Sequence, residues 1–198
     1  FKLEVGSLAG SYAYLRPETA QNIFINFNRI FNSSGAKLPM GIAQVGRSYR
    51  NEISPRNAII RTREFTQMEI EMFFDPESDL SEYYNKVKNI TIPYHSREKQ
   101  ENEKEHEDIT IEMLYKKEKT NPLVLYYIAK EHILLRACGI KEYRMRHLMP
   151  SETAHYSAGN YDVEIKTDFG YVEVISLADR TDYDLKKHGE HSGKKMEV

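Results

Sequence analysis

Apolar and polar positions recur along this chain with two periods, and the changes of period mark its elements. In PETAQNIFINFNRIFNSSG, residues 17–35, the apolar Ile23, Phe24, Phe27, Ile30 and Phe31 fall on one side of a helix. Pro17 suits its first turn and Gly35 lies beyond its end. The runs MGIAQVGRSYRNE and IIRTREFTQMEIEMFF then predict two long strands joined by ISPRNA, where Pro55 and Asn57 suit a turn. Strand side chains alternate between faces, so residues 61, 63, 65, 67, 69, 71 and 73 share one side, as do Gln44, Gly46, Ser48, Arg50 and Glu52 on the preceding strand. The other side of the second strand becomes apolar toward its end, with Met68, Ile70, Met72 and Phe74, and is expected to pack on helices. Residues 97–119 mix charges without strong apolar patterning and predict a solvated insertion with room for one amphipathic helix. TNPLVLYYIAKEHILLRACGI predicts a helix capped by Asn121, with Pro122 just inside and Gly139 just outside. NYDVEIKTDFGYVEVISLADR reads as two strands around Asp168, Phe169 and Gly170, ending at Arg180; His188 and His191 beyond it read as a solvated tail.

Composition narrows this picture. At 198 residues, 40% hydrophobic and 29% charged, the chain can bury one ordinary core, with a second small subdomain possible. A net charge of −2, from 28 basic and 30 acidic residues, excludes nucleic-acid binding by bulk electrostatics, so an RNA partner needs a local basic surface. The single cysteine, Cys138, excludes an internal disulfide framework and a multi-cysteine zinc site, which suits a reducing compartment, with cytoplasm as the expectation. No run approaches the roughly eighteen apolar residues of a membrane helix.

The charge concentrates in the hairpin: RNEISPRNAIIRTREFTQMEIEMF, residues 50–73, carries four arginines and four glutamates. Pooled on one face, guanidinium forks can bind phosphate oxygens, a phenyl ring can stack on a purine, and an acid can read an exocyclic amine, a combination that fits ATP. The plainer alternative is a ladder of salt bridges on an exposed antiparallel face.

Whole words of sequence bear on that choice. YLRPETAQNIFINF, GIAQVGRSYRNEISPRNAIIRTREFTQMEIEMF and YVEVISLADRTDYDL resemble successive segments of the glycyl-tRNA synthetases, class II enzymes. RNEISPR followed by REF resembles motif 2 of that class, and LRPETAQ, ETAHY and LADRTDYDL narrow the resemblance to the archaeal and eukaryotic type. One departure is Asn22, where that family usually has Gly. The resemblance implies an α+β fold, the class II catalytic architecture, with a six- or seven-stranded, mainly antiparallel sheet flanked by helices. It also implies a catalytic core at 1–82, a variable charged insertion at 83–120 and a continuation of the core at 121–198. Motif 1, motif 3 and an anticodon-binding domain are not visible, so a fragment of a longer, homodimeric enzyme is expected.

The resemblance assigns roles residue by residue. Arg50 would hold the α-phosphate and the glycine carboxylate, Glu52 would read the adenine amine, Arg61 would reach the γ-phosphate and Phe65 would stack on adenine. Glu173 would face ATP and its Mg²⁺, for which a carboxylate is a suitable hard ligand, with a structural salt bridge as the alternative. Glu18 and Glu69 would bind the glycine ammonium, and Arg180 would belong to the substrate pocket. Arg56 and Arg63 are weaker candidates, while Thr19 and Gln21 could merely cap and brace the PETAQ turn. Glycine, ATP and tRNA(Gly) are the implied substrates; a synthetase-like binding or regulatory protein without ligase activity is the alternative.

Overall fold

The computed structural model describes residues 2–4, 10–51 and 61–196, and these divide into two compact units, residues 1–78 with 184–198, and residues 79–183. The turn expected at ISPRNA, with Glu52 and Arg56, lies outside the described residues.

In the first unit, β1 (Lys2–Glu4) pairs antiparallel with β2 (Tyr12–Tyr14), and α1 (Ala20–Ser34) follows. Gly35 ends α1 in the left-handed region, φ 64°, where the absent Cβ removes the strain other residues meet. The helix starts later than its sequence suggests: Pro17 precedes the N-cap, Thr19, whose side chain makes no capping bond. The charged hairpin is β3 (Met40–Tyr49) against β4 (Glu64–Phe73), antiparallel from Met40 opposite Phe73 to Tyr49 opposite Glu64.

The hairpin packs through the face opposite to the one expected. Phe73 is buried, its ring stacked 4.1 Å from that of Phe27, and with Phe24, Ile23 and Ala20 it forms the unit's core. Each such ring or branched side chain contributes on the order of 2 kcal/mol by leaving water. Met68 and Ile70 stand 62% and 49% exposed on the other face, beside Val45 at 65%. The aromatic pair decides the orientation. Phe73 lies on the same parity as Phe65, Gln67 and Glu69, so docking it on α1 brings those polar side chains to the inner face too.

The second unit opens with α2 (Ser81–Val87) and continues through β5 (Thr91–His95), α3 (Arg97–Glu101), β6 (Glu107–Thr110), α4 (Ile111–Glu118) and α5 (Pro122–Ala137). Strands β7 (Tyr143–His147), β8 (Gly159–Thr167) and β9 (Gly170–Asp179) complete a five-stranded sheet in the order β6-β5-β7-β8-β9. All its pairings are antiparallel except β5 with β7. Among the described residues, strands therefore form sheets of two, two and five rather than one sheet of six or seven. As expected, Asn121 caps α5, accepting from Leu123 N at 2.9 Å, and Gly139 takes φ 78° beyond its end. The stretch 97–119 holds more structure than its charge suggests: Ile109, Ile111 and Leu114 join Ile92, Tyr94, Leu125, Ile128, Met145 and Val163 in the core. Their spacing is hidden in the sequence because a short strand runs directly into a helix at Thr110, switching the period within eight residues.

A bulge between Val163 and Glu164 shifts the β8–β9 register, so that Val163 faces Ile175 while Glu164 faces Glu173. Plain alternation would put Glu173 on the side of Ile175 and Leu177, which pack on the core. The skipped residue, Val174, turns that assignment over.

The final helix, α6 (Tyr183–Ser192), belongs from Asp184 onward to the first unit. Its Leu185 packs on the Phe24 and Phe27 core.

Candidate active site

The inner face of the hairpin and the segment before α1 carry four of the first unit's expected site residues, Glu18, Arg50, Phe65 and Glu69. The segment lies close on the strands at Gly46, where a Cβ would collide with the Arg16 guanidinium and press on the Thr19 methyl. Backbone bonds tie the two: Tyr49 N donates to Arg16 O at 2.9 Å, and Arg16 Nε donates to Arg47 O at 2.8 Å.

Four side chains are held there. Glu69, on β4, receives at one oxygen, Oε2, the backbone N–H of Thr19 at 2.5 Å, the Thr19 hydroxyl, and Gln67 Nε2 at 3.0 Å. Glu18 accepts from Gln21 Nε2 at 2.9 Å. Arg50 donates through Nε to Pro17 O at 3.1 Å, and its guanidinium carbon lies 5.3 Å from the centre of the Phe65 ring. Two carboxylates, a guanidinium and an aromatic face thus share one surface, the set a small zwitterion and a nucleotide require. The Thr19 side chain does not cap α1 and Gln21 is more than a brace: both hold carboxylates. Sequence reading could not find this, because the partner of Thr19 lies 50 residues away.

Part of the hairpin's charge is a simple rung, since Arg47 and Glu64 pair at 2.5 Å on the exposed outer side. Arg61 and Arg63 are exposed at the end of the hairpin where β4 begins; Arg63 O accepts from Arg50 N at 3.0 Å.

In the second unit, Glu173 is exposed on β9 opposite Glu164, which in turn pairs with Arg144 Nε at 2.6 Å. Beside them Asp162 is 7% exposed, and its Oδ1 has no hydrogen-bond partner among the described residues. Burial, reinforced by the Glu173 and Glu164 charges, pushes the Asp162 carboxyl up to about 6, against a hydrogen bond from Ser176 and the charge of Arg146. Arg180 follows β9, its guanidinium carbon 4.3 Å from the Tyr156 ring centre. Glu152 binds Arg146 Nη2 through both oxygens, at 2.8 and 2.6 Å, and His155 Nε2 meets the Tyr183 hydroxyl at 3.2 Å, so the ETAHY segment is tied to its own unit. Sequence reading passed over a partly buried trio: Tyr94 Oη lies 3.0 Å from both His147 Nδ1 and a Glu118 oxygen. The His147 bond holds the Glu118 carboxyl below the usual range.

No group of three or more His, Cys, Asp or Glu among the described residues could hold a metal ion. Glu173 alone makes no cage, but Mg²⁺ that arrives on phosphates keeps most of its waters and needs only one or two carboxylates, a demand an exposed glutamate fits. No helix among the described residues is long and apolar enough to cross a membrane.

The chain is 42% identical over 207 residues to a glycine-tRNA ligase of Methanocaldococcus jannaschii, covering all of the chain and 36% of that protein. It is 42% identical over 202 residues to that of Pyrococcus horikoshii and 39% over 204 residues to that of Archaeoglobus fulgidus, again along its whole length, and over 35% and 34% of those proteins. The chain thus spans about a third of the length of the curated relatives it matches. Residues 1–186 match the model of the tRNA synthetase class II core domain (G, H, P, S and T), and with that match running through both compact units, the chain belongs to this family.

Proposed function

We propose that this chain carries substrate-binding parts of a glycine-tRNA ligase, which joins glycine to tRNA(Gly) with ATP. In the first step a glycine carboxylate oxygen attacks the α-phosphorus, the bond to the bridging oxygen breaks, and pyrophosphate leaves, giving glycyl-adenylate. In the second, the terminal ribose hydroxyl of the tRNA takes the glycyl group and AMP departs. The observation that carries this reading is the grouping of Glu69, Arg50 and Phe65 on one hairpin with Glu18 on the segment bound to it.

Arg50 neutralises charge at the α-phosphate and the attacking carboxylate, an effect preorganised by its bond to Pro17 O. Phe65 stacks on adenine, Arg61 reaches the γ-phosphate and Glu52 reads the adenine amine. Glu18 and Glu69 take the ammonium. Glycine offers no side chain to grip, so selection rests on charge at the amine and on walls that larger amino acids overpack. In the second unit, Glu173 is the carboxylate for Mg²⁺, which would add charge neutralisation at the phosphates, and Arg180 serves the substrate pocket. A homodimeric, cytoplasmic enzyme is part of the same proposal.

The test is ATP–pyrophosphate exchange across the twenty amino acids, with the protein at its full natural length. Exchange with glycine alone is expected; exchange with another amino acid, or none, overturns the proposal.

A further inference from the structure

Glu18 is the end of a hydrogen-bonded chain that starts on α6. Gln21 Nε2 donates to Glu18 Oε1 at 2.9 Å and lies 3.4 Å from Asp184 Oδ1, while Gln21 Oε1 meets His188 Nε2 at 2.8 Å. Carboxylates only accept, and so does an amide oxygen. The polarity of the chain follows: His188 must carry its proton on Nε2, and the Gln21 amide must turn its NH₂ to the two acids. Flipping that amide would set its oxygen against two carboxylates. The imidazole cannot easily turn away, because it stacks on Phe24, ring centres 6.3 Å apart and 27° between planes, and Phe24 is 5% exposed. Asp184 is 7% exposed. All these residues belong to the first unit.

We propose that His188 and Gln21 are positioning residues for the amine-binding acid. His188 orients the Gln21 amide, the amide engages Glu18 Oε1, and Oε2 is then the oxygen presented to the substrate ammonium. The amide also sits between the Glu18 and Asp184 carboxylates, where their mutual repulsion would otherwise drive Glu18 aside. The solvated tail expected from sequence is, at His188, a support of the site.

This inference rests on the reading of Glu18 as a glycine contact, and one experiment separates the two. Exchange kinetics are measured, at full natural length, for Glu18→Gln, Gln21→Ala, His188→Ala, His188→Gln and the Gln21→Ala/His188→Ala double variant. His188→Ala should raise KM for glycine about tenfold and leave KM for ATP within about twofold. The double variant should be no worse than Gln21→Ala alone, since both break one chain. His188→Gln, whose amide nitrogen can take the place of Nε2, should recover most of the loss and keeps the test open if the alanine variant does not fold. Equal losses for glycine and ATP, additive losses in the double variant, or no recovery by glutamine would overturn the positioning role. A Glu18→Gln variant with wild-type KM for glycine would overturn both readings; one with raised KM beside a silent His188→Ala and a silent His188→Gln would overturn only the second.

Discussion

Glu69 Oε2 collects the Thr19 backbone N–H, the Thr19 hydroxyl and Gln67, so it is held more firmly than a surface glutamate. Thr19 is fully buried, and its hydroxyl has a charged partner. Thr19→Val should therefore cost about 1–3 kcal/mol in denaturant unfolding, whereas Thr19→Ser should stay within about 1 kcal/mol of the parent. For substrate use, Arg50→Ala should lower exchange by about 100-fold or more without loss of fold, because it removes a charge from an exposed position. Glu69→Gln should raise KM for glycine far more than KM for ATP; parallel losses would make Glu69 structural. The identities of these residues were legible as sequence words, and their partners were not. A threonine before a helix looks like a cap from local pattern alone, and only tertiary contact reveals that its hydroxyl points to another strand.

Elements repeat the lesson in both directions. Helix α5 was legible to its caps, because Asn121, Pro122 and Gly139 act through local backbone chemistry. The hairpin strands were legible too, but not which face is covered, since Met68 and Ile70 outnumber Phe73 in the pattern while Phe73 has the aromatic partners. Gly46 is where the hairpin admits the Arg16–Thr19 segment, so Gly46→Ala should raise KM for glycine by displacing that segment, with β3 and β4 still paired by circular dichroism. On α5, burial and then the Asp162 charge push the Glu131 carboxyl up to about 8. The folded value is raised above the unfolded one, so the contribution to stability is fully present below about pH 4.5 and is lost as pH rises through 8. Glu131→Gln should abolish that slope and gain on the order of 3 kcal/mol at pH 9, allowing for water at a partly exposed carboxyl. Unfolding midpoints at pH 5 and pH 9 check it; an unchanged slope would refute it.

At the scale of the molecule the described residues form two hydrophobic clusters, one built on Phe24, Phe27 and Phe73 and the other on Tyr94, Leu125, Ile128 and Met145, with no buried residue in common. Leu125→Ala, at a fully buried position, should cost about 2–5 kcal/mol, and hydrogen exchange should show the loss in residues 79–183 first. The two units were only partly legible: composition allowed a second small subdomain, but the mixed charge of 97–119 concealed a contribution to the larger core. The first unit is also discontinuous in the chain, since Leu185 and His188 pack against Phe24 and its neighbours from the far side of residues 79–183. For a chain made from its N-terminus on a ribosome, order in space and order in time then part company. Residues 79–183 can close their core as they emerge, while α1 and its hairpin, made earlier, wait for α6 with aromatic side chains still incompletely covered. Of the two units, the one begun first is the last to finish, and it is the part a chaperone would have to guard.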